Sequence, residues 1–407
     1  MVPNIRVKGF NGDWEVRSLG EIYTERNERG DDSLQILSVS IHDGVSDGEL
    51  DEEGLGKVVR RSEDKTTYKH VYEGDLVFNM MRAWQGAIGV VKSEGMISPA
   101  YISAIPNEDV YPPFMDYVLR RKEAIDQINN LSYGVTDFRK RLYWDSFVKV
   151  KCCLPSVQEQ RKIADALESL DRYILLNQRQ CDDLRELKKY MLQKMFPKDD
   201  EKIPEIRFEG FTDAWEQRKL GDIGTTFTGL SGKTKDDFGH GDARFVTYMN
   251  VFTNPVSDPN KVEAVEIDKS QNSIQYGDVF FTTSSETPEE VGMSSVWLEN
   301  TDDTYLNSFC FGYRPTEKID PYYMAYMLRS ETVRKKIIYL AQGISRYNIS
   351  KNGVMQIEVP LPDINEQRLV GEYFSNLDNL ITLHQRRHDT LLEFKAYLLQ
   401  NMFPKEG

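Results

Sequence analysis

"LPSVQEQRKIADALESLD", Leu154 to Asp171, returns as "LPDINEQRLVGEYFSNLD", Leu361 to Asp378, displaced by 207 positions (361 − 154). Searching outward finds a second repeated block. "PNIRVKGFNGDWEVRSLGEI", Pro3 to Ile22, matches "PEIRFEGFTDAWEQRKLGDI", Pro204 to Ile223, displaced by 201 (204 − 3). The tail is also written twice, as "MLQKMFPKDD" from Met191 and "LLQNMFPKEG" from Leu398. Each half therefore has a preserved opening, a divergent middle and a preserved close, and such a duplication is settled before any local reading. A chain built this way does one job twice, on two different objects.

The preserved closes read as long helices. In the first, Ile163, Leu167, Leu170, Ile174, Asn177, Cys181, Leu184, Lys188, Met191 and Met195 follow alternating steps of four and three. Val370, Phe374, Leu377, Ile381, His384, His388, Leu391, Lys395, Leu398 and Met402 repeat the pattern in the second. That is a heptad seam, apolar except at a few polar positions. Pro197 and Pro404 stop the helices, and Ser156 and Asp363 are candidate caps. Each helix is expected to span ~57 Å at 1.5 Å per residue. Left alone, such a seam would be exposed, so the two copies are expected to pair antiparallel, with Asn177 opposite His384. The alternative is that each helix packs on its own globular half. The order domain, helix, domain, helix further predicts that Gly407 lies near Met1 and that a circular permutant folds.

The divergent middles carry strand-like stretches followed by helix. The first offers 34–41, 74–81, 86–91 and 101–106 and then a helix over 112–131. In the second, 244–251, 277–284, 294–299 and 309–315 precede a helix over 321–341. The fold class is therefore α+β: two tandem mixed domains separated by two long helices forming an antiparallel coiled coil, with pseudo-two-fold, circular organisation. The expected boundaries are a domain over 1–153, a spacer helix over 154–197, a linker over 198–203, a second domain over 204–360 and a second spacer over 361–404.

A chain of 407 residues, 40% hydrophobic with five Trp, is folded and too long for one core. The first residues do not resemble a signal peptide, and no apolar run approaches the ~18 residues of a membrane span. Four cysteines without CxxC spacing read as reduced thiols of a cytoplasmic protein.

A net charge of −14 weighs against nucleic acid only as a sum. Basic, amide and aromatic residues collect locally in and between the strand-like stretches. The first half offers Arg60, Arg61, Lys65 and Lys69, then Arg82, Trp84 and Gln85, then Arg139, Lys140 and Arg141. The second offers Lys233 and Lys235, Tyr248 and Asn250, Ser284 and Ser285, and Arg346, Tyr347, Asn348 and Lys351. Arg, Gln, Asn and Ser on loops read base edges, while Lys and Arg hold phosphates. Each taken singly could equally be an ordinary solvated loop residue.

Catalytic motifs fail one by one. "GLSGKT" resembles a phosphate loop, but Phe227 stands where its first glycine belongs. "DPYY" at Asp320 is near an amino-methyltransferase tetrad but lacks its second proline. "PDINEQR" hints at nuclease carboxylates, yet its twin has Ser156 in place of Asp363, and helix capping explains both. His384 and His388 have metal spacing, with Cys181 as a third candidate across the seam, but two ligands are too few; no metal is expected. The chain reads as non-catalytic.

Two divergent domains, each opened by "W-E-x-R-x-L-G-[ED]-I" (Trp14 to Ile22, Trp215 to Ile223) and closed by the "LP…EQR" blocks, resemble the specificity subunit of Type I restriction-modification systems. The similarity covers essentially the whole chain. It implies that each variable domain reads one half of a bipartite double-stranded DNA target. It also implies that the helix pair, with seam positions Ile163, Leu170, Asn177, Leu184, Met191, Val370, Leu377, His384, Leu391 and Leu398, sets the spacing and docks two methyltransferase subunits. Restriction-translocase subunits would join through the complex, and S-adenosylmethionine, ATP and Mg²⁺ would belong to those partners. The competing readings are a coiled-coil scaffold joining two protein-binding domains without DNA, and a stand-alone DNA methyltransferase or nuclease.

Overall fold

The computed structural model describes residues 1–31, 33–42, 44–46, 67–134, 140–198 and 201–404. The chain divides into two compact units, one of residues 1–176 with 387–407 and the other of residues 177–386. Each division point falls inside a long helix, Val157–Lys194 or Ile364–Asn401, both of 38 residues.

In the first unit a four-stranded antiparallel sheet runs Tyr23–Arg26, Tyr101–Pro106, Leu76–Asn79, Ile88–Val90. Strand Glu15–Ser18 pairs separately with Lys151–Leu154, so the preserved opening is tied to the start of the long helix. The helix expected over 112–131 is two, Pro112–Leu119 and Lys122–Leu131, because Arg121 is extended between them with its guanidinium over the Phe403 ring. Of the stretch 34–41, only Val39–Ser40 is strand. One core gathers Trp14, Phe78, Phe114 and Phe147 with Ile163 and Leu167 of the first long helix and Met402 and Phe403 beyond the second.

The second unit repeats this plan. Its four-stranded sheet runs Gly224–Thr228, Cys310–Pro315, Val279–Thr282, Ser294–Val296, and Glu216–Lys219 pairs with Glu358–Leu361. It adds a three-stranded sheet around Phe238–Val246. That strand stops early: Thr247 accepts the Asn250 amide and caps a helix, Tyr248–Thr253, where strand was expected through 251. The helix expected over 321–341 is again broken, into Pro321–Met327 and Glu331–Tyr339, around the buried Ser330. Met195 and Phe196 enter this core beside Trp215, Val370 and Phe374.

The repeated residues repeat their contacts. Arg6 forks onto Glu159 at 2.8 and 2.9 Å, and Arg207 onto Glu366 at 2.6 and 2.8 Å. Gln160 accepts the Tyr111 amide at 2.8 Å as Gln367 accepts that of Asp320 at 2.9 Å. The "EQR" carboxylates are thus consumed in the frame, buried and matched by guanidinium forks.

Both units contain antiparallel helix pairing. In the second, Asn177 Oδ1 lies 3.2 Å from His384 Nδ1, Cys181 Sγ lies 3.9 Å from the Ile381 carbonyl, and Lys188 Nζ lies 2.5 Å from Asp378. Rising numbers on one helix meet falling numbers on the other. Within the first, Lys395 meets Asp171 at 2.5 Å. Each aspartate also accepts a tyrosine hydroxyl, Tyr117 on Asp171 and Tyr326 on Asp378, at 2.8 and 2.9 Å. Burial, then the neighbouring carboxylate, pushes both phenols far up. Leu184, Met191, Leu391 and Leu398 are half-buried along this seam. Among the described residues no group of three or more His, Cys, Asp or Glu is placed to hold a metal, and no helix is long and apolar enough to cross a membrane.

Candidate nucleic-acid interface

Both four-stranded sheets end in a turn built the same way. In the first unit Asn79 pairs with Tyr101 across the sheet, and its buried side chain accepts the Met81 amide at 3.0 Å. Arg82 then donates its amide back to the Asn79 carbonyl at 3.0 Å, and Ala83–Gln85 form a single 3₁₀ turn. Gly86, at φ 108°, closes it in a conformation that favours glycine. Trp84 Nε1 donates to the Met81 carbonyl at 2.9 Å. Met81, Arg82 and Gln85 are left exposed on a rigid turn.

A second segment docks against that turn. The Leu142 amide donates to the Met80 carbonyl at 2.9 Å, while Tyr133 and Arg141 exchange backbone bonds at 3.0 Å. Lys140 is held by Asn129 at 2.6 Å with its ammonium 5.9 Å from the Trp84 ring centroid. Lys69 donates to the Tyr101 carbonyl at 3.2 Å. The structure thus brings Lys69, Arg82, Trp84, Gln85, Lys140 and Arg141 to one end of the sheet. Arg60, Arg61, Lys65 and Arg139 lie outside the described residues.

The second unit uses the same anchors. Thr282 pairs with Cys310, the Thr283 amide donates to the Phe309 carbonyl at 3.0 Å, and the Ile349 amide donates to the Thr283 carbonyl at 3.0 Å. Gln342 and Asn348 exchange backbone bonds at 2.9 Å, the counterpart of Tyr133 with Arg141. Ser284–Ser285 adds a further strand against Tyr347–Asn348. Arg346 and Asn348 are exposed on this clamp, and Tyr347 is half-buried. Lys351 is half-buried with its ammonium 5.9 Å from the Phe311 ring centroid. From the same sheet end, where Thr228 pairs with Phe311, runs the stretch holding Lys233 and Lys235. Lys233 is tied to Asp268 at 2.9 Å, and Lys235 is exposed. Hydrogen bonds from Ser270, then the Lys233 ammonium, hold the Asp268 carboxyl far below its usual range.

Four of the expected contacts change role. Asn250 is buried; its amide donates to the Asp258 and Lys261 carbonyls at 2.8 and 2.9 Å, and its oxygen accepts the Asp258 amide at 2.9 Å. It organises the following loop and has no surface to offer a base. Ser284 and Ser285 are buried too, the latter with its hydroxyl 3.3 Å from Glu290. The Tyr248 hydroxyl donates to the Ser284 carbonyl at 2.8 Å, and burial raises its pKa. Together these residues shape the turn from beneath.

Two arginines overlooked in the sequence do the same work. Arg334 donates to the carbonyls of Glu289, Val291 and Gly292, each at 2.8 Å, and Arg329 to those of Val251, Asn254 and Ser294. Burial lowers both guanidinium pKa values to about 10. Also overlooked were the exposed apolar residues Met81, Phe309 and Ile344 at these turns. The available signal was an apolar side chain inside a turn-forming stretch.

Comparison with known proteins converges on one family. Residues 212–393 match the family model described as "Type I restriction modification DNA specificity domain". The putative Type I restriction enzyme MjaX specificity subunit of Methanocaldococcus jannaschii is 23% identical over 422 residues, covering 95% of this chain and 92% of the relative. The MjaVIII specificity subunit of the same organism is 22% identical over 319 residues, covering 70% and 68%. Among solved structures, the S subunit of a Type I restriction-modification system from M. genitalium superposes with a TM-score of 0.59 at 12% identity, covering 100% of both chains. The HsdS subunit from Thermoanaerobacter tengcongensis gives 0.50 at 16% identity, covering 97% and 98%. Residues 212–393 thus match a Type I restriction modification DNA specificity domain, and over nearly its whole length the chain, with its repeated frame and antiparallel helices, is similar to specificity subunits of Type I restriction-modification systems.

Proposed function

We propose that residues 1–153 and 204–360 each read one half of a bipartite double-stranded DNA target. The helix pair sets the unread gap and docks two methyltransferase subunits, and restriction-translocase subunits join through that complex. The chain itself is non-catalytic, and S-adenosylmethionine, ATP and Mg²⁺ serve the partners.

One observation carries this reading. The same backbone clamp, Leu142 to Met80 and Ile349 to Thr283, presents different chemistry in the two units. The docked segment carries Lys140 and Arg141 in the first unit where it carries Tyr347 and Asn348 in the second, and it docks beside a turn bearing Arg82, Trp84 and Gln85 in the first and beside the stretch 284–290 in the second. An enzyme duplicated for one reaction would keep its side chains and let the frame drift. Here the frame is kept and the presented side chains change, as two readers of different sequences require.

The test exchanges residues 23–153 for the equivalent stretch of another family member and maps the site bound by the complex. One half-site should change, with the other half and the gap retained. A change in both halves contradicts the assignment.

A further inference from the structure

The clamp in the second unit presents a side chain that the fold does not use. Ile344 is 96% exposed, at the tip of the turn between Gln342 and Asn348. The turn is rigid. Its ends exchange two backbone bonds, Tyr347–Asn348 is also a strand against Ser284–Ser285, and Ile349 is tied to Thr283. Gly343 sits at φ 142°, and a Cβ there would collide with the Arg346 carbonyl, so the turn requires glycine at that point. The conformation pushes the next residue outward, and that residue is a stiff β-branched hydrocarbon.

Isolated exposed apolar residues are common and need no explanation. Three features set Ile344 apart. It stands on a preorganised tip, two residues before the exposed Arg346. A second apolar side chain, Phe309, is 60% exposed on the turn that anchors the same clamp through Thr283. The sequence also repeats the pattern: Gly134, Val135 and Thr136 follow Tyr133 as Gly343, Ile344 and Ser345 follow Gln342, and Tyr133 and Gln342 hold equivalent places in the two clamps.

Major-groove base edges offer one apolar group, the C5-methyl of thymine. We infer that Ile344 is a specificity-determining residue that packs on a thymine methyl within the half-site read by the second domain. Arg346 and Asn348 supply the polar readout beside it. This rests on the two-reader function above. A wedge between base steps is the rival use of such a residue, but wedges act from the minor groove on kinked DNA, and the side chains flanking Ile344 are those that suit major-groove edges.

The experiment uses the full chain in complex with its methyltransferase subunits and a duplex carrying the mapped site. Each thymine is replaced in turn by deoxyuridine, which lacks only the methyl, and Kd is measured for the wild type and for Ile344→Ala. In the wild type, one substitution in the second domain's half-site should weaken binding about fourfold, the value of one buried methyl-sized group. Ile344→Ala should weaken binding to the thymine duplex by a similar factor and become insensitive to that one substitution. The inference is overturned if the variant keeps every deoxyuridine penalty, if it loses affinity for both duplexes equally, or if the half-site contains no A·T pair. Should the wild-type complex show no preference for a bipartite site over scrambled DNA, the two-reader function itself falls, and this inference with it.

Discussion

The Ile5 amide donates to the Asn401 carbonyl at 2.9 Å. Ile206 makes the same bond at the same distance to Lys194, only twelve residues earlier (206 − 194). One joint is covalently continuous and the other is not, yet the fold treats them alike. Trp14 donates its amide to the Met1 carbonyl as Trp215 does to Lys202, both at 2.8 Å. A permutant opened between Lys198 and Glu201, with Pro404 joined to Pro3 through the sequence that links Pro197 to Pro204, should therefore fold. Its far-UV circular dichroism should match the wild type and its melting temperature should fall by no more than a few degrees. An aggregated or molten product contradicts the joint equivalence.

The residues just past each helix end are core residues. Phe403 packs edge-on against Trp14 at 6.0 Å and Phe196 against Trp215 at 6.3 Å, and both phenylalanines are buried. Phe403→Ala and Phe196→Ala should each cost about 3–5 kcal/mol, read by chemical denaturation. Phe403→Ala should loosen the first unit, and Phe196→Ala the second, as judged by amide exchange of Leu76–Asn79 against Val279–Thr282.

Much of this frame was legible beforehand, because a duplication exposes itself without any folding rule. The seam positions were legible too, since a step of three and four survives any packing partner. Less visible was that the same stretch serves two masters: Ile163 and Leu167 fill the first unit's globular core, and Val370 and Phe374 the second's. Periodicity states which face is buried, not against what.

The turns at the sheet ends were only partly legible. In sequence Asn250 falls within a strand-like stretch, 244–251, and is a candidate base-reading amide; the helix capped by Thr247 turns it inward instead. Paired ion bridges escaped for another reason. Asp75 and Asp278 are repeated residues, but Arg26 comes from the strand Tyr23–Arg26 and Arg314 from Cys310–Pro315, so no local pattern links the partners.

Arg82→Ala should relax discrimination within the first domain's half-site by about 1–3 kcal/mol for one base pair, leaving the other half-site untouched. Arg346→Ala should do the reverse. Lys140→Ala and Lys235→Ala, offered to phosphates, should weaken binding to all sequences alike and flatten its salt dependence. Competition binding against single-base variants separates the two classes.

Inserting one heptad into each long helix, between Leu184 and Met191 and at the matching place between Leu391 and Leu398, adds ~10 Å of helix rise. At ~3.4 Å per base pair, the footprint's unread gap should grow by roughly three base pairs, with both half-sites unchanged. An unaltered gap shows that the helices do not act as the ruler.

The most direct test is to sequence methylated positions in the genome of cells carrying this chain with its methyltransferase subunits. Two dissimilar half-sites separated by a constant number of unread base pairs are the predicted result. A single continuous motif, a palindrome, or half-sites at variable separation would contradict the claim that one preserved frame carries two different readers.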